Sequence, residues 1–422
     1  MRASTWQAIL AACLCVGSAG AQDRADPALL AEIGRIRAID HHSHADPVSP
    51  PGDEPQEAVG APPFAYPFRL RPENPEYAEA WRALWGDLSA GPGFDQRAVL
   101  RAKWRTRKER ADAYPSWVLD QAGIDVVLVN AEQLGPGQAP PRFRWVAQAD
   151  ELLFPLETER PRFRRILADR GLAAPPATLA EYATRVLTPT LERWKAEGAL
   201  AVKLVVAYRR PLDFAPAARE DAERVYARSI AGTPPAPDEN KKLQDYLFRL
   251  LAAEAGRTGL VVHIHTGVGA DPYFNLSGSR PALLEPALND PALRETRFVL
   301  VHGGWPYDRE TGVLLMKPSV YADFSAQPFL RSTRALAETL RAWLEWYPEK
   351  VMFGTDAYSE GPMSLTGWEE KAWLAARTSR EALALALTGM MADGEITRPQ
   401  ALELARLVLR GNAERLYGLG SP

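Results

Sequence analysis

The chain has 422 residues, of which 46% are hydrophobic, 24% charged and 9% aromatic. This composition is that of an ordinary globular protein and excludes a disordered, collagen-like or coiled-coil chain. The 50 Lys and Arg against 53 Asp and Glu leave a net charge of −3, which is too balanced for a protein that binds nucleic acid.

Residues 1–21 have the features of a secretory signal peptide. Arg2 is followed by an apolar stretch at residues 8–16 and by the small residues Ala19-Gly20-Ala21. Cleavage there would leave residues 22–422 as the mature protein. We therefore expect an exported protein, periplasmic or secreted.

Both cysteines lie inside this predicted signal peptide, at Cys13 and Cys15. The mature chain is thus expected to have no disulfide and no thiol nucleophile. The segment Leu10-Ala11-Ala12-Cys13 resembles a lipobox, but the apolar stretch before Cys13 is too short, and we do not expect a lipoprotein. No later segment approaches the ~20 apolar residues of a membrane span.

Short apolar runs alternate with longer segments of helical character along the rest of the chain. Eight runs are predicted to be strands: residues 38–44, 124–130, 143–149, 199–207, 260–266, 298–302, 320–325 and 351–356. Most are continuous and rich in Val, Ile and Leu, as in strands buried on both faces. This alternation predicts an α/β fold, a (β/α)8 TIM barrel. The third run alternates with polar residues and is the weakest assignment.

A barrel of this kind needs roughly 250 residues, so the surplus is expected in insertions. The longest gap separates the first two predicted strands and opens with a Pro/Gly-rich linker at 47–63. Residues 64–120 are predicted to form a helical cap after the first strand. Six basic residues of this cap are interpreted as a solvated helix face rather than an anion site: Arg101, Lys103, Arg105, Arg107, Lys108 and Arg110.

All six histidines lie at three predicted strand ends, on the side of a barrel where active sites form. Strand alternation places His42 and His44 on one face, where both imidazoles reach one ion, and turns His41 away from the barrel axis. The fifth and sixth strands contribute further histidines, and the eighth ends at Asp356. Three imidazoles and a carboxylate that converge in this way match a catalytic zinc site with an open position for water.

Four motifs at these strand ends resemble the amidohydrolase superfamily. They are Asp40-x-His42-x-His44, His265-Thr266-Gly267, His302-Gly303 and Phe353-Gly354-Thr355-Asp356. The chain is more narrowly similar to the amidohydrolase-related branch that includes aminocarboxymuconate semialdehyde decarboxylase, with uronate isomerase as a more distant relative. Residues 202–209 and 411–417 are similar to nodulin-like and FluG-like amidohydrolase domains. The resemblance covers residues 38–419 and is vague across the insertion.

The resemblance implies a divalent metal, with zinc expected, held by His42, His44, His265 and Asp356. It also implies that His302 lies beside the open position and polarises substrate or steadies the water. Asp356 would accept a proton from that water and pass it to the leaving group.

Two further residues of the strands leave alternatives open. Lys203 on the fourth strand is either carbamylated, in which case it bridges two ions, or unmodified, in which case it binds a substrate carboxylate or pairs with Asp356. His263 faces the same way as His265 but one layer deeper. We interpret it as a polar neighbour of the substrate site rather than a ligand.

Four residues in the loops after the strands are predicted to contact substrate. Tyr208 and Arg209 follow the fourth strand, and the planar guanidinium of Arg209 suits a carboxylate. Trp305 and Tyr307 follow His302 and are predicted to wall the pocket.

The leading hypothesis is an exported, metal-dependent hydrolase that cleaves an amide, ester or lactone bond in a small polar substrate. Two enzymatic alternatives keep the same metal: decarboxylation of a carboxylated substrate and isomerisation of a sugar acid. A non-catalytic binding protein is the remaining alternative. The oligomeric state is not determined by the sequence, and the insertion leaves a homo-oligomer open.

Overall fold

The computed structural model describes residues 24–49, 52, 66–90, 93–361 and 363–420. The predicted signal peptide, with Cys13, lies outside these residues, as does much of the Pro/Gly-rich linker. Among the residues described, every helix is too short or too polar to cross a bilayer.

Eight parallel strands form one sheet that curves into a barrel. They are β1 (Ala38–Ser43), β2 (Ile124–Ala131), β3 (Phe143–Gln148), β4 (Ala201–Leu204), β5 (Val261–His265), β6 (Phe298–Val301), β7 (Val320–Asp323) and β8 (Val351–Met352). Each strand pairs with the next along the chain. The barrel closes between β1 and the segment after β8, where the N–H of His41 donates to the carbonyl of Phe353 at 3.0 Å. The predicted TIM barrel is confirmed, including its weakest strand, β3.

The lumen of the barrel is packed with side chains from alternate strand positions, which is why the strands are apolar. Its buried members include Ile39, Leu128, Val146, Val261, Val299, Val301 and Met352. The opposite faces of the strands pack against the surrounding helices in a second, larger core. Because both faces are buried, the strand ends are held rigidly.

Sixteen α-helices surround the barrel and form the insertion. They are α1 (Pro27–Gly34), α2 (Pro75–Trp85), α3 (Gln96–Arg110), α4 (Tyr114–Gln121), α5 (Pro161–Asp169), α6 (Leu179–Tyr182), α7 (Thr188–Ala196), α8 (Arg219–Ile230), α9 (Pro237–Thr258), α10 (Glu285–Leu288), α11 (Asp308–Leu314), α12 (Gln327–Leu330), α13 (Thr333–Leu344), α14 (Trp368–Ala392), α15 (Arg398–Arg406) and α16 (Asn412–Tyr417) among the residues described. Helices α2, α3 and α4 lie between β1 and β2, where the helical insertion is predicted.

The basic helix α3 is not solvated along its whole length, as the sequence had suggested. Lys103 is buried, with Nζ 2.8 Å from Glu369 and 2.9 Å from Glu370, the first acidic residues of α14. Arg107 is also buried, 3.1 Å from Glu369. The interpretation as a solvated face is wrong for these two residues because their carboxylate partners come from the far end of the chain.

The same two glutamates also bind the other helices of the insertion. The indole N–H of Trp85 on α2 donates to Glu370 at 2.8 Å, and the hydroxyl of Tyr114 on α4 donates to Glu369 at 2.5 Å. Helix α14 therefore anchors all three helices of the insertion through buried, charge-assisted hydrogen bonds.

Candidate metal centre

A cavity of about 510 Å³ opens at the carboxyl ends of the strands. Its lining includes six of the residues predicted from the sequence, namely His44, Lys203, Tyr208, His265, His302 and Asp356. It also includes three that were not predicted, Asp46, Tyr358 and Ser359. The structure thus brings the strand-end histidines and the carboxylate to one place.

His42, His44 and Asp356 form the tightest group in this cavity, with one ligand atom from each within 4.8 Å of the others. Nε2 of His42 lies 3.2 Å from Oδ1 of Asp356, and Nε2 of His44 lies 3.4 Å from the same oxygen. Two imidazole nitrogens and a carboxylate oxygen are donors that zinc prefers.

Backbone bonds between β1 and the segment after β8 set this geometry. The N–H of Asp356 donates to the carbonyl of His42 at 2.7 Å, and Asp356 adopts a positive φ of 55°. Aspartate tolerates this left-handed conformation better than most residues. Asp40 supports the turn by accepting bonds from the backbone N–H of Thr355 at 2.8 Å and its hydroxyl at 2.5 Å.

The protonation states suit a divalent cation. Burial opposes ionisation of Asp356, but its interactions with His302, the hydrogen bond with His44 and the charge of Lys203 outweigh burial and lower the pKa of that carboxyl to about 2. Burial, reinforced by Lys203, holds the pKa of His42 well below its usual range. At neutral pH the group therefore offers the carboxylate of Asp356 and the neutral imidazole of His42, which fit a bound metal.

A hydrogen-bonded chain orients the other two histidines. The hydroxyl of Ser325 donates to Asp323 at 2.6 Å, so its oxygen accepts from Nδ1 of His302 at 2.9 Å. Nε2 of His302 is then left to accept from Nδ1 of His265 at 3.1 Å. This leaves the lone pair on Nε2 of His265 buried and without a hydrogen-bond partner among the residues described.

A further metal ligand would present such a nitrogen: buried, without a hydrogen-bond partner and close to the group formed by His42, His44 and Asp356. Burial and the charge of Lys203 lower the pKa of His265 to about 3, which keeps its ring neutral. His265 lies outside the three-residue group defined by distance, and its role as a ligand stays a prediction.

Lys203 projects from β4 into the same site, with Nζ 3.1 Å from Nε2 of His42. Burial lowers the pKa of Lys203 to about 8, against the opposing attraction of Asp356. Carbamylation requires the neutral amine, and the lowered pKa makes a larger fraction of Lys203 neutral. Both roles predicted for Lys203 therefore remain open.

A second polar layer lies beneath the site. Nδ1 of His41 donates to Asp323 at 2.8 Å, and the hydroxyl of Tyr417 on α16 lies 2.5 Å from Nε2 of His41 and 2.6 Å from Nε2 of His263. The rings of His41 and His263 are 4.5 Å apart, although β1 and β5 are on opposite sides of the barrel.

The prediction that His41 points away from the barrel axis was therefore wrong. The register of β1 shifts between Asp40 and Ser43, and this irregularity breaks the alternation, so that neighbouring residues His41 and His42 both turn inward. His263 belongs to this lower layer and does not line the cavity.

The glycines of two motifs permit close approach around the histidines. A Cβ on Gly303, which has φ of 56°, would lie 2.2 Å from the ring of Trp343. A Cβ on Gly267 would lie 2.3 Å from the carbonyl oxygen of Trp305. His302 itself has φ of 67°, which is strained for a residue with a side chain and is held by the bond from its N–H to Asp323 at 2.9 Å.

The predicted substrate residues divide into one that faces the cavity and three that do not. Tyr208 lines it, with its ring 4.9 Å from that of His265. Arg209 instead pairs with Glu157 and packs over the ring of Phe154. Its guanidinium is already occupied and does not reach the cavity.

Trp305 and Tyr307 also lie outside the cavity lining. Arg331 packs over the ring of Trp305 at 5.8 Å, and Arg280 packs over that of Tyr307 at 5.0 Å. Each ring thus packs against an arginine instead of the cavity, because a position after a strand end does not determine which way the side chain turns.

The sequence reasoning missed the polar wall formed by Asp46, Tyr358 and Ser359. Asp46 continues the alternation of His42 and His44, which was the available signal. Burial, together with the charge of Glu369, raises the pKa of Asp46 to about 6.

A smaller apolar compartment of about 140 Å³ adjoins the cavity. It shares Tyr208 and Tyr358 with the cavity and is walled by Leu70 from the insertion and by Phe329 and Leu330 from α12. The sequence offered no pattern that joins these distant segments.

Three solved structures share this fold. They are a protein from Lactobacillus casei ATCC 334 named as a metal-dependent hydrolase (TM-score 0.62; 94% of this chain and 98% of that one), uronate isomerase from Thermotoga maritima (0.64; 92% and 96%) and glucuronate isomerase from Caulobacter crescentus (0.63; 94% and 94%). Each is 16% identical to this chain, so these likenesses show the fold alone.

A curated relative, Protein fluG from Emericella nidulans, is 34% identical over 231 residues. The match covers 51% of this chain and 25% of that protein, so the chain spans about a quarter of the length of this relative. The family model described as Amidohydrolase matches residues 39–419, nearly the whole barrel. With the strand-end histidines and carboxylate in place, the chain belongs to the amidohydrolase family of metal-dependent enzymes.

Proposed function

We propose that this enzyme hydrolyses an amide, ester or lactone bond in a small substrate. The observation that carries the proposal is the ionised carboxylate of Asp356 in contact with His42 and His44, at the base of a cavity open to solvent. A divalent metal, with zinc favoured by the nitrogen donors, would there lower the pKa of a bound water and polarise the scissile carbonyl.

The protein's own groups supply the proton transfers and the orientation. Asp356 accepts a proton from the attacking water through the carboxylate oxygen that does not face His42, and returns it to the leaving group. His302, whose Nδ1 lies 3.9 Å from Oδ2 of Asp356, lines the cavity beside that carboxylate and faces the substrate. Tyr208 bounds the substrate at the mouth of the cavity.

The shape of the site favours a substrate with two unlike halves. A polar half fits the cavity beside His44, Asp46 and Ser359, and an apolar half fits the compartment formed by Leu70 and Phe329. The scissile bond would lie between them, over Asp356, which lines both spaces.

Isomerisation of a sugar acid is the alternative that the uronate and glucuronate isomerase structures raise. Both this reaction and decarboxylation require a carboxylated substrate. Among the residues that the structure describes, no arginine lines the cavity, and Arg209 is engaged by Glu157. Lys203 is the one ammonium group in the described lining. We therefore favour hydrolysis over both alternatives.

The test combines metal analysis with a product assay. We expect metal analysis of the purified chain to find a divalent ion, one per chain if Lys203 is unmodified and two if it is carbamylated. A panel of amides, esters and lactones should yield hydrolysed pairs, whereas carbon dioxide or an isomerised sugar acid would contradict the proposal.

Variants of the metal centre then separate catalysis from simple binding. His42→Ala should lose metal, and Asp356→Asn should lose turnover by at least about a thousandfold. The exposed Asp112→Asn, which makes the same chemical change outside the cavity, should retain full activity. A protein that binds its ligand but shows no turnover in any panel would instead support the non-catalytic alternative.

Export of the enzyme is also a proposal, which rests on the features of residues 1–21. An intact-mass measurement on protein from the periplasm or medium should show a chain that starts at Gln22. A full-length chain confined to the cytoplasm would contradict it.

A further inference from the structure

A group of four cations surrounds the end of the barrel opposite the metal centre. We call Arg144, Lys195, Arg297 and Arg415 the floor cluster. Arg144 lies near the start of β3, and Arg297 directly precedes β6. The other two come from α7 and α16, the helices that flank this end.

Two of these arginines lie on the inner face of the barrel. Arg144 pairs in register with Leu128, and Leu128 belongs to the cluster that fills the lumen. Arg297 stands two residues before Val299, which belongs to the same cluster, and alternation places both on the same face. Charged residues at the inner face of a barrel normally have a partner.

No carboxylate neutralises the floor cluster among the residues that the structure describes. Nη1 of Arg297 donates to the carbonyl of Leu416 at 2.8 Å, and Nζ of Lys195 donates to the carbonyl of Gly259 at 3.1 Å. Arg415 donates to the amide oxygen of Asn412 at 2.7 Å. All these acceptors are neutral, so the described part of the chain supplies no negative charge to compensate these cations.

Neighbouring cations on the same side of the molecule are paired in the ordinary way. Arg193, two residues before Lys195, binds Asp169 at 2.9 Å, and Arg257 binds Glu254 at 2.9 Å. The excess of positive charge is therefore local to the floor cluster.

The cations of the floor cluster also repel one another. Burial and the nearby charges of Arg297 and Arg144 lower the pKa of Lys195, whereas a carboxylate partner would raise it. Repulsion of this kind is relieved when an anion binds between the cations.

A cavity of about 270 Å³ lies between three members of the floor cluster, and Arg144 stands outside its lining. Lys195, Arg297 and Arg415 line it, together with Tyr417 and the backbone of Gly259 and Gly418. Its volume suits a small ligand.

We propose that the floor cluster binds a small oxyanion of the phosphate type. Arginine side chains present planar pairs of N–H donors to such an oxyanion, and the ammonium of Lys195 adds a further donor. The oxyanion would be either free phosphate or the phosphate group of a small metabolite. This proposal does not depend on the reaction at the metal centre.

Isothermal titration calorimetry of the full chain with inorganic phosphate tests the proposal. It should be done on the metal-loaded protein and again after dialysis against a chelator, because phosphate also binds metal centres. We expect one phosphate site that survives metal removal. Arg297→Gln should weaken this site by about tenfold or more. The control Arg105→Gln removes an equal charge from the exposed face of α3 and should leave the affinity unchanged.

Arg144→Gln provides a second variant, because Arg144 makes no hydrogen bond whose loss would disturb the fold among the residues described. It should also weaken phosphate binding in the chelated protein. Loss of all phosphate binding on metal removal, or an affinity that neither variant changes, would overturn the proposal. Competition by a small phosphate monoester at lower concentration than phosphate would assign the source as a metabolite, and its absence would assign free phosphate.

Discussion

The hydroxyl oxygen of Ser325 lies 2.9 Å from Nδ1 of His302 and sets the tautomer of that imidazole. Because the same hydroxyl donates its own proton to Asp323, it can only accept from His302. The lone pair of the neutral His302 ring is therefore on Nε2, which faces His265 and the cavity. A serine that does not line the cavity thus determines which nitrogen atoms face it.

Replacement of Ser325 tests this orientation. Ser325→Ala removes the acceptor for Nδ1 of His302, so either tautomer becomes accessible and turnover should fall by about tenfold to a hundredfold. Metal content should stay unchanged, because no atom of the metal-binding group is altered. Steady-state kinetics measures the loss of turnover, and metal analysis measures the metal content. The exposed Ser277→Ala is the matched control, and a variant with full turnover would contradict the orientation.

The buried cation of the insertion should be essential for stability. Lys103→Met leaves Glu369 and Glu370 buried with one compensating charge fewer, and breaking a buried pair in this way costs about 3–5 kcal/mol. Urea unfolding should show this loss of unfolding free energy. Arg101→Met on the same helix removes a half-exposed pair with Asp95 and should cost less than about 1 kcal/mol. Equal effects of the two variants would refute the role of the buried network.

The hydroxyl of Tyr417 should stabilise the lower layer of the barrel. Tyr417→Phe leaves the Nε2 atoms of His41 and His263 without a partner, at a cost of about 2–4 kcal/mol. Thermal or urea unfolding measures this loss. Tyr321→Phe removes the hydroxyl of another tyrosine that packs on the lumen cluster and that makes no hydrogen bond among the residues described, and it should be nearly neutral. A neutral Tyr417→Phe would mean that water replaces the hydroxyl.

Asp150 should make the stability depend on pH. Burial raises the pKa of Asp150 to about 6 in the folded chain, against the bond it accepts from the N–H of Val205. The folded state then binds the proton more tightly than the unfolded state, so the contribution of Asp150 to stability improves as pH falls from above 6 towards 3.8.

Asp150→Asn keeps an oxygen for Val205 and removes this titration. Relative to the native chain, the variant should gain about 2 kcal/mol more stability at pH 7.5 than at pH 4. Urea unfolding at both pH values provides the measurement, and the exposed Asp112→Asn should show no such difference. A gain that is the same at the two pH values would show that Asp150 is not the titrating group.

The strands and the histidines at their ends were predictable because both depend on local sequence. A strand buried on both faces must be apolar along its length. The segment of β3 is also a strand, although its alternation of apolar and polar residues made the prediction ambiguous. Once the strands were assigned, parallel order alone placed the histidines and Asp356 at one end of the barrel. Asp46 follows His44 by two residues, and this spacing was the available signal for it.

Other assignments failed where one irregular residue or one distant partner decides the outcome. The register shift in β1 turned His41 inward, and the sequence carries no mark of it. Arg209 stands at a strand end but is occupied by Glu157, so it does not reach the cavity.

By itself, the amino-acid sequence determined the barrel, the approximate positions of its strands and the histidines and aspartate at their carboxyl ends, because periodicity and burial act over a few neighbouring residues. Only the tertiary structure decided which charges are paired and, within the described residues, which imidazole nitrogen and which cations at the floor of the barrel lack a partner. Those outcomes depend on distances between residues far apart in the chain, since charges and hydrogen bonds respond to the atoms they meet and not to their sequence neighbours.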